Sequence, residues 1–472
     1  MTSFNRQTAA YNVETTNCAK PEQTRQAWGD HLADGKGVCG TTFLFALLTI
    51  SLAVGTNAAE PPAEINPALR YYQALLLVPK FEPEDSQFLF ETDWRGRPLD
   101  ERFGRLISKY DGSFNLLRKA AQAQVPCAWG VDLSDGPAMV MPRLAPAKHL
   151  VQVARMRIHW QLQNGLQTQA RDDLLAALAL GRNLSRDGLG ISTLVQFSIE
   201  ELIAWGIAGN FFQFSPETLQ QIADGLNAAP PRGTVAESIP ITKYLFCDWY
   251  LKRIEQFRRE NPGNEAKILD LIRDLYRPTL VSEEEKKSDL PDRLIAAGGG
   301  TSAGVADLIR ALEPLYRELE RIMALPYAEY GPSFETFKAE IGRLSNPLAQ
   351  RFLGYDRSRR NEFGTQVQLA MVRAAIAYKL HGEQGLKTVM DPCANGPFSL
   401  RRFVFDGIDR GFELKSSSSF NWNGGEQVLI FVERDGKPFV LSNPNAGAPV
   451  LGRDETMRLR YGLPPARPGG SK

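Results

Sequence analysis

Between Leu144 and Asp187 the chain has little choice but to form two helices packed side by side. Leu150, Val153, Ala154, Ile158 and Leu162 recur at steps of three and four, one face of a helix that starts after Pro146. His149, Val153, Met156 and Trp160 make a stripe beside it, and Arg155, Arg157, Gln161 and Gln163 cover the other side. Asn164-Gly165 stops the helix, since both residues tolerate the left-handed backbone of a C-terminal cap. Thr168 is the expected N-cap of the second helix. Arg171, Asp172 and Asp173 then fall in its first turn, where acids suit the positive end of the helix dipole. Leu174, Leu175, Leu178, Leu180 and Leu184 supply bulk. Ala170, Ala176, Ala177, Ala179 and Gly181 let a neighbouring helix come close.

A helix, a glycine turn and an alanine-rich helix make one repeat unit of about 34 residues. This segment resembles a tetratricopeptide (TPR) unit, with Gly165 and Ala170 at the small-residue positions around the turn. The family's full aromatic and proline pattern is missing, so the segment is TPR-like.

Similar hairpin links flank the pair. Asn66 with Pro67 opens a helix that ends near Pro79. Asp100 to Ser108 and Ser113 to Ala123 give two more, and Cys127 to Met141 a long connection with room for one short strand. Ile191 to Phe212 is a third long helix, with Leu194, Val195, Ile199, Leu202, Ile203 and Gly206 on one broad face. Ser215-Pro216-Glu217 opens the next. An aromatic helix carrying Tyr244, Phe246, Trp249, Ile254 and Phe257 ends at Asn261-Pro262-Gly263. Glu265 to Tyr276, Gly304 to Met323 and Ser333 to Leu344 continue in helix, with Ser282 to Asp292 as a charged linker and Gly298-Gly299-Gly300 as a loop or hinge. No strands alternate with these helices, which argues against a parallel α/β core.

The last third changes character. A helix from Arg357 to His381 precedes an Asp391-Pro392 turn and short β-like runs at Leu400 to Phe405, Gly411 to Lys415, Gln427 to Val432 and Pro438 to Leu441, with Asp435-Gly436 suited to a hairpin turn. This order, through Gly396-Pro397-Phe398, resembles the C-terminal part of pseudopilin-like proteins over about 80 residues. The processing signature of that family is absent before the helix, so no assembly role is implied. The expected fold class is mainly α: an antiparallel helix-hairpin (TPR-like) array with a small C-terminal α+β segment of short antiparallel strands. The expected divisions are 1–59 (N-terminal extension and signal peptide), 60–355 (helical body, best unit 144–187) and 356–472 (helix, small β segment and disordered tail).

Residues 41–55 form the one long apolar run near the N-terminus, short of the about 20 residues a membrane span needs. Small residues and Ala59 follow, then Pro61-Pro62, as at a secretory cleavage site. Residues 1–38 are long and not basic for such a signal, which leaves a retained membrane anchor or a buried helix as alternatives. Cys18 and Cys39 would leave with the signal. Cys127, Cys247 and Cys393 remain, too widely spaced for a disulfide framework or a zinc site, although one disulfide could form. As a whole the arrangement resembles a class of exported bacterial proteins with a signal peptide, a TPR-like body and a small α+β tail, a resemblance that implies no reaction.

Catalytic patterns are sparse. His31, His149, His159 and His381 offer no helical metal spacing, and His149 reads as a hydrogen-bonded core or boundary residue. No Gly-x-Ser-x-Gly elbow occurs. A Cys393–His381 pair is the only nucleophile arrangement the order suggests. Gly298 to Gly304 lacks the lysine of a phosphate loop. Asp391 and Asn395 supply too few oxygens for calcium. Glu201, on the third long helix with Leu194, Phe197, Ser198, Trp205 and Ala208, is the candidate catalytic acid, set against a structural pair with Arg155 or Arg182. No cofactor or metal is expected. A net charge of +1 gives no field to attract nucleic acid. The leading expectation is an exported, non-enzymatic helical scaffold that binds a protein or envelope partner. The alternatives are an envelope hydrolase with a carboxylate in the helical groove, and a membrane-anchored assembly subunit if residues 41–55 are retained.

Overall fold

The computed structural model describes residues 65–91, 94, 98–276, 289–405, 408–418 and 427–433. The apolar run 41–55, Cys18, Cys39, residues 282–288 of the charged linker, the Asp435-Gly436 turn and the run 438–441 lie outside the described residues. Among the described residues the chain is mainly helical, with one small antiparallel sheet.

Four short helices come first: α1 (Pro67–Leu76), α2 (Pro83–Glu91), α3 (Glu101–Ser108) and α4 (Asp111–Ala121). The Asn66 cap is present, its Oδ1 accepting the Ala68 N–H at 3.1 Å. The same side chain accepts from the Ala128 N–H and donates to the Ala128 carbonyl, which pins the following connection to the start of α1. That connection contains a 3-10 turn (Gly136–Ala138) and, among the described residues, no strand. Its Trp129 stacks on Tyr71 and donates to the Asn183 carbonyl at 2.6 Å, so it closes the core.

The organising pair is α5 (Leu144–Gln163) and α6 (Gln167–Leu184), joined at Gly165 with φ of 73°. Two details differ from the sequence reading. Thr168 is not the N-cap: α6 starts two residues earlier than that cap would place it, with Leu166 at the N-cap and no side-chain cap. Gln167 instead donates to the Gln213 carbonyl and accepts from the Ser215 N–H. Arg157 and Gln161 are also not on a solvent face. Both are buried against Asp173, which lies well inside α6 rather than in its first turn.

Next come α7 (Gly190–Gly209), a 3-10 turn (Phe211–Gln213) and α8 (Pro216–Ala228), whose expected Ser215 cap accepts from the Thr218 N–H. α7 is the central helix and packs on α5 and α6. Among the described residues it is the one helix long and apolar enough to cross a membrane by length and composition, and most of it is buried inside the protein.

The aromatic helix is broken into α9 (Val235–Lys243), a π-helical turn (Tyr244–Asp248) and α10 (Trp249–Glu260). Then follow α11 (Glu265–Tyr276), α12 (Leu290–Ala297), α13 (Ser302–Arg310), α14 (Glu313–Met323) and α15 (Tyr327–Ile341). The single helix expected from Gly304 to Met323 is two, because Pro314 stands in the first turn of α14, where it has no N–H to extend α13. The Gly298-Gly299-Gly300 run is a close-packed turn rather than a hinge. Gly299 and Gly300 take positive φ, and a Cβ on Gly304 would sit 1.9 Å from the Gly298 carbonyl oxygen.

α16 (Tyr355–Lys387) packs on α7, α8 and α9 and changes direction at Gly382. The sheet is a meander of β1 (Ser399–Phe405), β2 (Ile408–Lys415) and β3 (Val428–Val432), with Arg401 opposite Glu413 and Leu414 opposite Leu429. One hydrophobic core runs from α1 through the helices to Phe412 and Phe431 of the sheet.

Candidate functional site

Glu201 is half-buried on α7 and keeps an interaction of its own. The fully buried acid is its neighbour, Glu200. It accepts from Arg182 Nε at 3.0 Å and Arg232 Nη2 at 2.6 Å, and Arg232 also reaches Thr365 on α16. The partner expected for Glu201, Arg182, therefore serves Glu200. The same chemistry recurs at three other buried acids. Asp173 takes Arg118, Arg157 Nε at 2.8 Å and Gln161 Nε2 at 2.7 Å. Glu362 takes Arg359 at 2.7 Å and the Val235 N–H at 3.0 Å. Asp187 takes Arg143, Ser192 and the Leu189 N–H. Each of these four carboxylates is taken up by at least one arginine, so these acids serve as struts between elements.

His149 accepts or donates through Nε2 to Tyr110 Oη at 2.9 Å, beside the Phe90 ring, and burial holds its pKa below the ordinary value. The folded protein thus resists protonation there while the unfolded chain does not. Stability is full above about pH 6.5 and falls as pH drops below it toward the folded value. A His149→Gln variant is expected to flatten that part of the melting profile between pH 7.5 and 5.5. A profile identical to wild type would assign the pH dependence to other groups.

Cys127, Cys247 and Cys393 are free and buried, and burial pushes each thiol up to about 12. The disulfide left open by the sequence is absent among them. Cys393 and His381 do not form a catalytic pair, since His381 is exposed and Cys393 is a buried, protonated thiol. Asp391 caps its own turn, accepting from the Cys393 N–H and Ser416 Oγ. Among the described residues no group of three or more metal-ligating side chains occurs.

The space for a ligand lies elsewhere, at the π-turn. A π-turn widens a helix by one residue and re-aims the side chains it carries, and such turns concentrate at functional sites. Here it places Phe246 against two cavities. The first, of about 340 Å³, is walled by Phe246, Tyr276, Tyr316, Phe352 and Tyr355, with exposed Arg351 on its lining. The second, of about 310 Å³, shares Phe246 and Tyr355 and is lined by Met139, Met141 and Leu194 among others, with Thr193, Ser238, Thr242 and Ser358 among its hydroxyl side chains. Thr242 donates its hydroxyl to the Ser238 carbonyl at 2.8 Å. Burial raises the Tyr276 and Tyr316 phenols well above their ordinary range, so both are neutral donors.

The wall residues come from well-separated stretches of the sequence. The signal available beforehand was the aromatic density around Tyr244, Phe246 and Trp249, which is also what a plain core helix shows. No protein-family model, curated protein or solved structure matches the chain.

Proposed function

We propose that the protein is an exported helical scaffold of TPR-like hairpins that binds a protein or envelope partner. The observation that carries this reading is an apolar surface beside the second cavity. Val140 is 83% exposed and Ile191 46% exposed, and the neighbours of Val140, Met139 and Met141, line that cavity with Ile191. Exposed apolar groups clustered at a cavity mark interaction sites more often than scattered ones do. Rigidity supports the same reading, because the helices beneath this face are tied by buried ion pairs. Those pairs also weaken the carboxylate-hydrolase alternative.

Affinity capture from an envelope extract tests the proposal with the full chain and a Val140→Glu/Ile191→Glu variant. A reproducible partner retained by wild type and reduced by about ten-fold in the variant is expected, since truncating or charging a central apolar anchor typically costs more than 1 kcal/mol. Equal capture by both chains counts against the face. A hydrolytic activity abolished by Glu201→Gln would favour the enzyme instead. Mass spectrometry of the mature N-terminus bears on export: a start at Ala59 or Glu60 excludes the anchored subunit.

A further inference from the structure

The helix α1 is apolar on both sides. Its inner face, Ala68, Tyr71 and Ala74, is buried against α4 and the Trp129 connection. On its outer face Leu69, Tyr72 and Leu76 follow one another at steps of three and four, with Ile65 one turn earlier and Leu77 beside them. Leu76 is 83% exposed, and Ile65, Leu69 and Leu77 are each more than half exposed. These four are among the ten large apolar side chains that stand exposed among the described residues, and they are gathered on one helix and its flanks. Single exposed apolar residues are ordinary, but a contiguous stripe marks a contact surface. A surface helix normally turns a polar face to water, and one that is apolar all round belongs in a core or in lipid.

The surroundings of the stripe identify what covers it. From Ile65 to Phe81 the chain carries Arg70 and Lys80 and no acid. Arg70 Nη1 donates to the Lys119 carbonyl at 3.0 Å, which brings exposed Lys119, near the end of α4, to the same edge. A convex apolar stripe with a basic margin fits the acyl and phosphate layers of a bilayer interface, whereas the anchors of a protein partner need pockets. No α1 residue lines either cavity described above. In sequence the apolar run 41–55 ends ten residues before Ile65, and ten extended residues span at most about 35 Å. A bilayer that holds that run, during export or as an anchor, is therefore within reach of α1.

We propose that the outer face of α1 rests in the interfacial layer of an anionic lipid bilayer, with Leu69 and Leu76 among the acyl chains and Arg70, Lys80 and Lys119 at the phosphates. The helix lies along the surface and does not span it, since its ten residues are half of the about 20 a span needs. This contact is separate from the partner face at Val140 and Ile191.

The test sediments the full chain with vesicles of phosphatidylcholine alone and of phosphatidylcholine and phosphatidylglycerol in equal parts. Wild type is expected to bind the mixed vesicles more tightly. Leu69→Glu/Leu76→Glu is expected to weaken that binding by about ten-fold or more, because two leucines leave the acyl layer. Its melting temperature should not change, since both side chains are exposed. Lys80→Gln is expected to weaken binding to the mixed vesicles by about five-fold and to leave binding to phosphatidylcholine unaltered. Leu76→Trp should add a fluorescence component that shifts to the blue on the mixed vesicles and is quenched by brominated acyl chains. Val140→Glu/Ile191→Glu should bind lipid as wild type does, which keeps this result apart from the partner capture that tests the scaffold reading. The proposal is overturned if wild type does not bind the mixed vesicles. It is equally overturned if Leu69→Glu/Leu76→Glu binds them as wild type does, which would assign the binding to the run 41–55 or another surface, or if the Leu76→Trp emission is the same with and without lipid.

Discussion

Replacing Asp173 with alanine is expected to destabilise the protein by about 3–5 kcal/mol, the range for removing one partner of a buried ion pair. Asp173 has no exposed surface and holds Arg118 from α4 and Arg157 and Gln161 from α5. Without it Arg157 retains only the Ile107 carbonyl and Asp111, and Asp111 is more than half exposed. A cation left almost unexposed beside the Phe114 ring is then paired mainly with a solvated acid. Asp173→Asn should fall between the two, since an amide keeps the shape and one acceptor but not the charge. The neighbouring Asp172→Ala is the control. Asp172 bonds only to adjacent Arg171 near the surface, so about 0–1 kcal/mol is expected. Urea denaturation of the three variants decides the matter, and equal midpoints for Asp173→Ala and Asp172→Ala would refute the strut.

The contrast between these two adjacent acids shows what the sequence can and cannot carry. The α5–α6 pair is legible because its leucines and alanines repeat at helical spacing and Gly165 marks the turn. The roles of Arg157, Gln161 and Asp173 are not legible, because sequence polarity stands in for exposure. What buries them is a partner set drawn from α4, α5 and α6 that only the fold assembles. α7 fails differently. It is apolar nearly all round, with Leu194, Val195, Ile199, Leu202, Ile203 and Ile207, so periodicity cannot phase it to better than one residue. That one residue separates half-buried Glu201 from the buried Glu200. The cavity is the least visible of all. Its walls come from the π-turn, α11, α14, a 3-10 helix (Ala349–Gly354) and α16, and a π-turn leaves no mark on an aromatic-rich amphipathic run.

The sheet poses the remaining question of cohesion, and Phe431→Ala is expected to answer it with a loss of about 3–5 kcal/mol, the usual cost of emptying a buried phenylalanine site. Phe431 is fully buried on β3. It stacks on Phe412 of β2 with centroids 4.9 Å apart, and meets Phe211, in the 3-10 turn after α7, at the same distance. Phe412 in turn meets Tyr378 of α16 at 5.4 Å. The aromatic cluster is therefore the joint between the meander and the ends of two core helices. Gly411 sets how close that joint can be, because a Cβ there would lie 2.2 Å from the Phe431 carbonyl oxygen. On the other face of β3, Ile430 and Val432 make a separate small cluster with Phe403 and Val428. Val404→Ala on β1, at a side chain 55% exposed, should change stability by less than about 0.5 kcal/mol and serves as the reference. If the joint couples sheet and helices, Phe431→Ala lowers a single denaturation midpoint seen alike by far-UV circular dichroism and tryptophan fluorescence. A wild-type midpoint in that variant would mean that the helical body stands without the sheet, and that the core continuous from α1 to β3 is continuous in contact but not in energy.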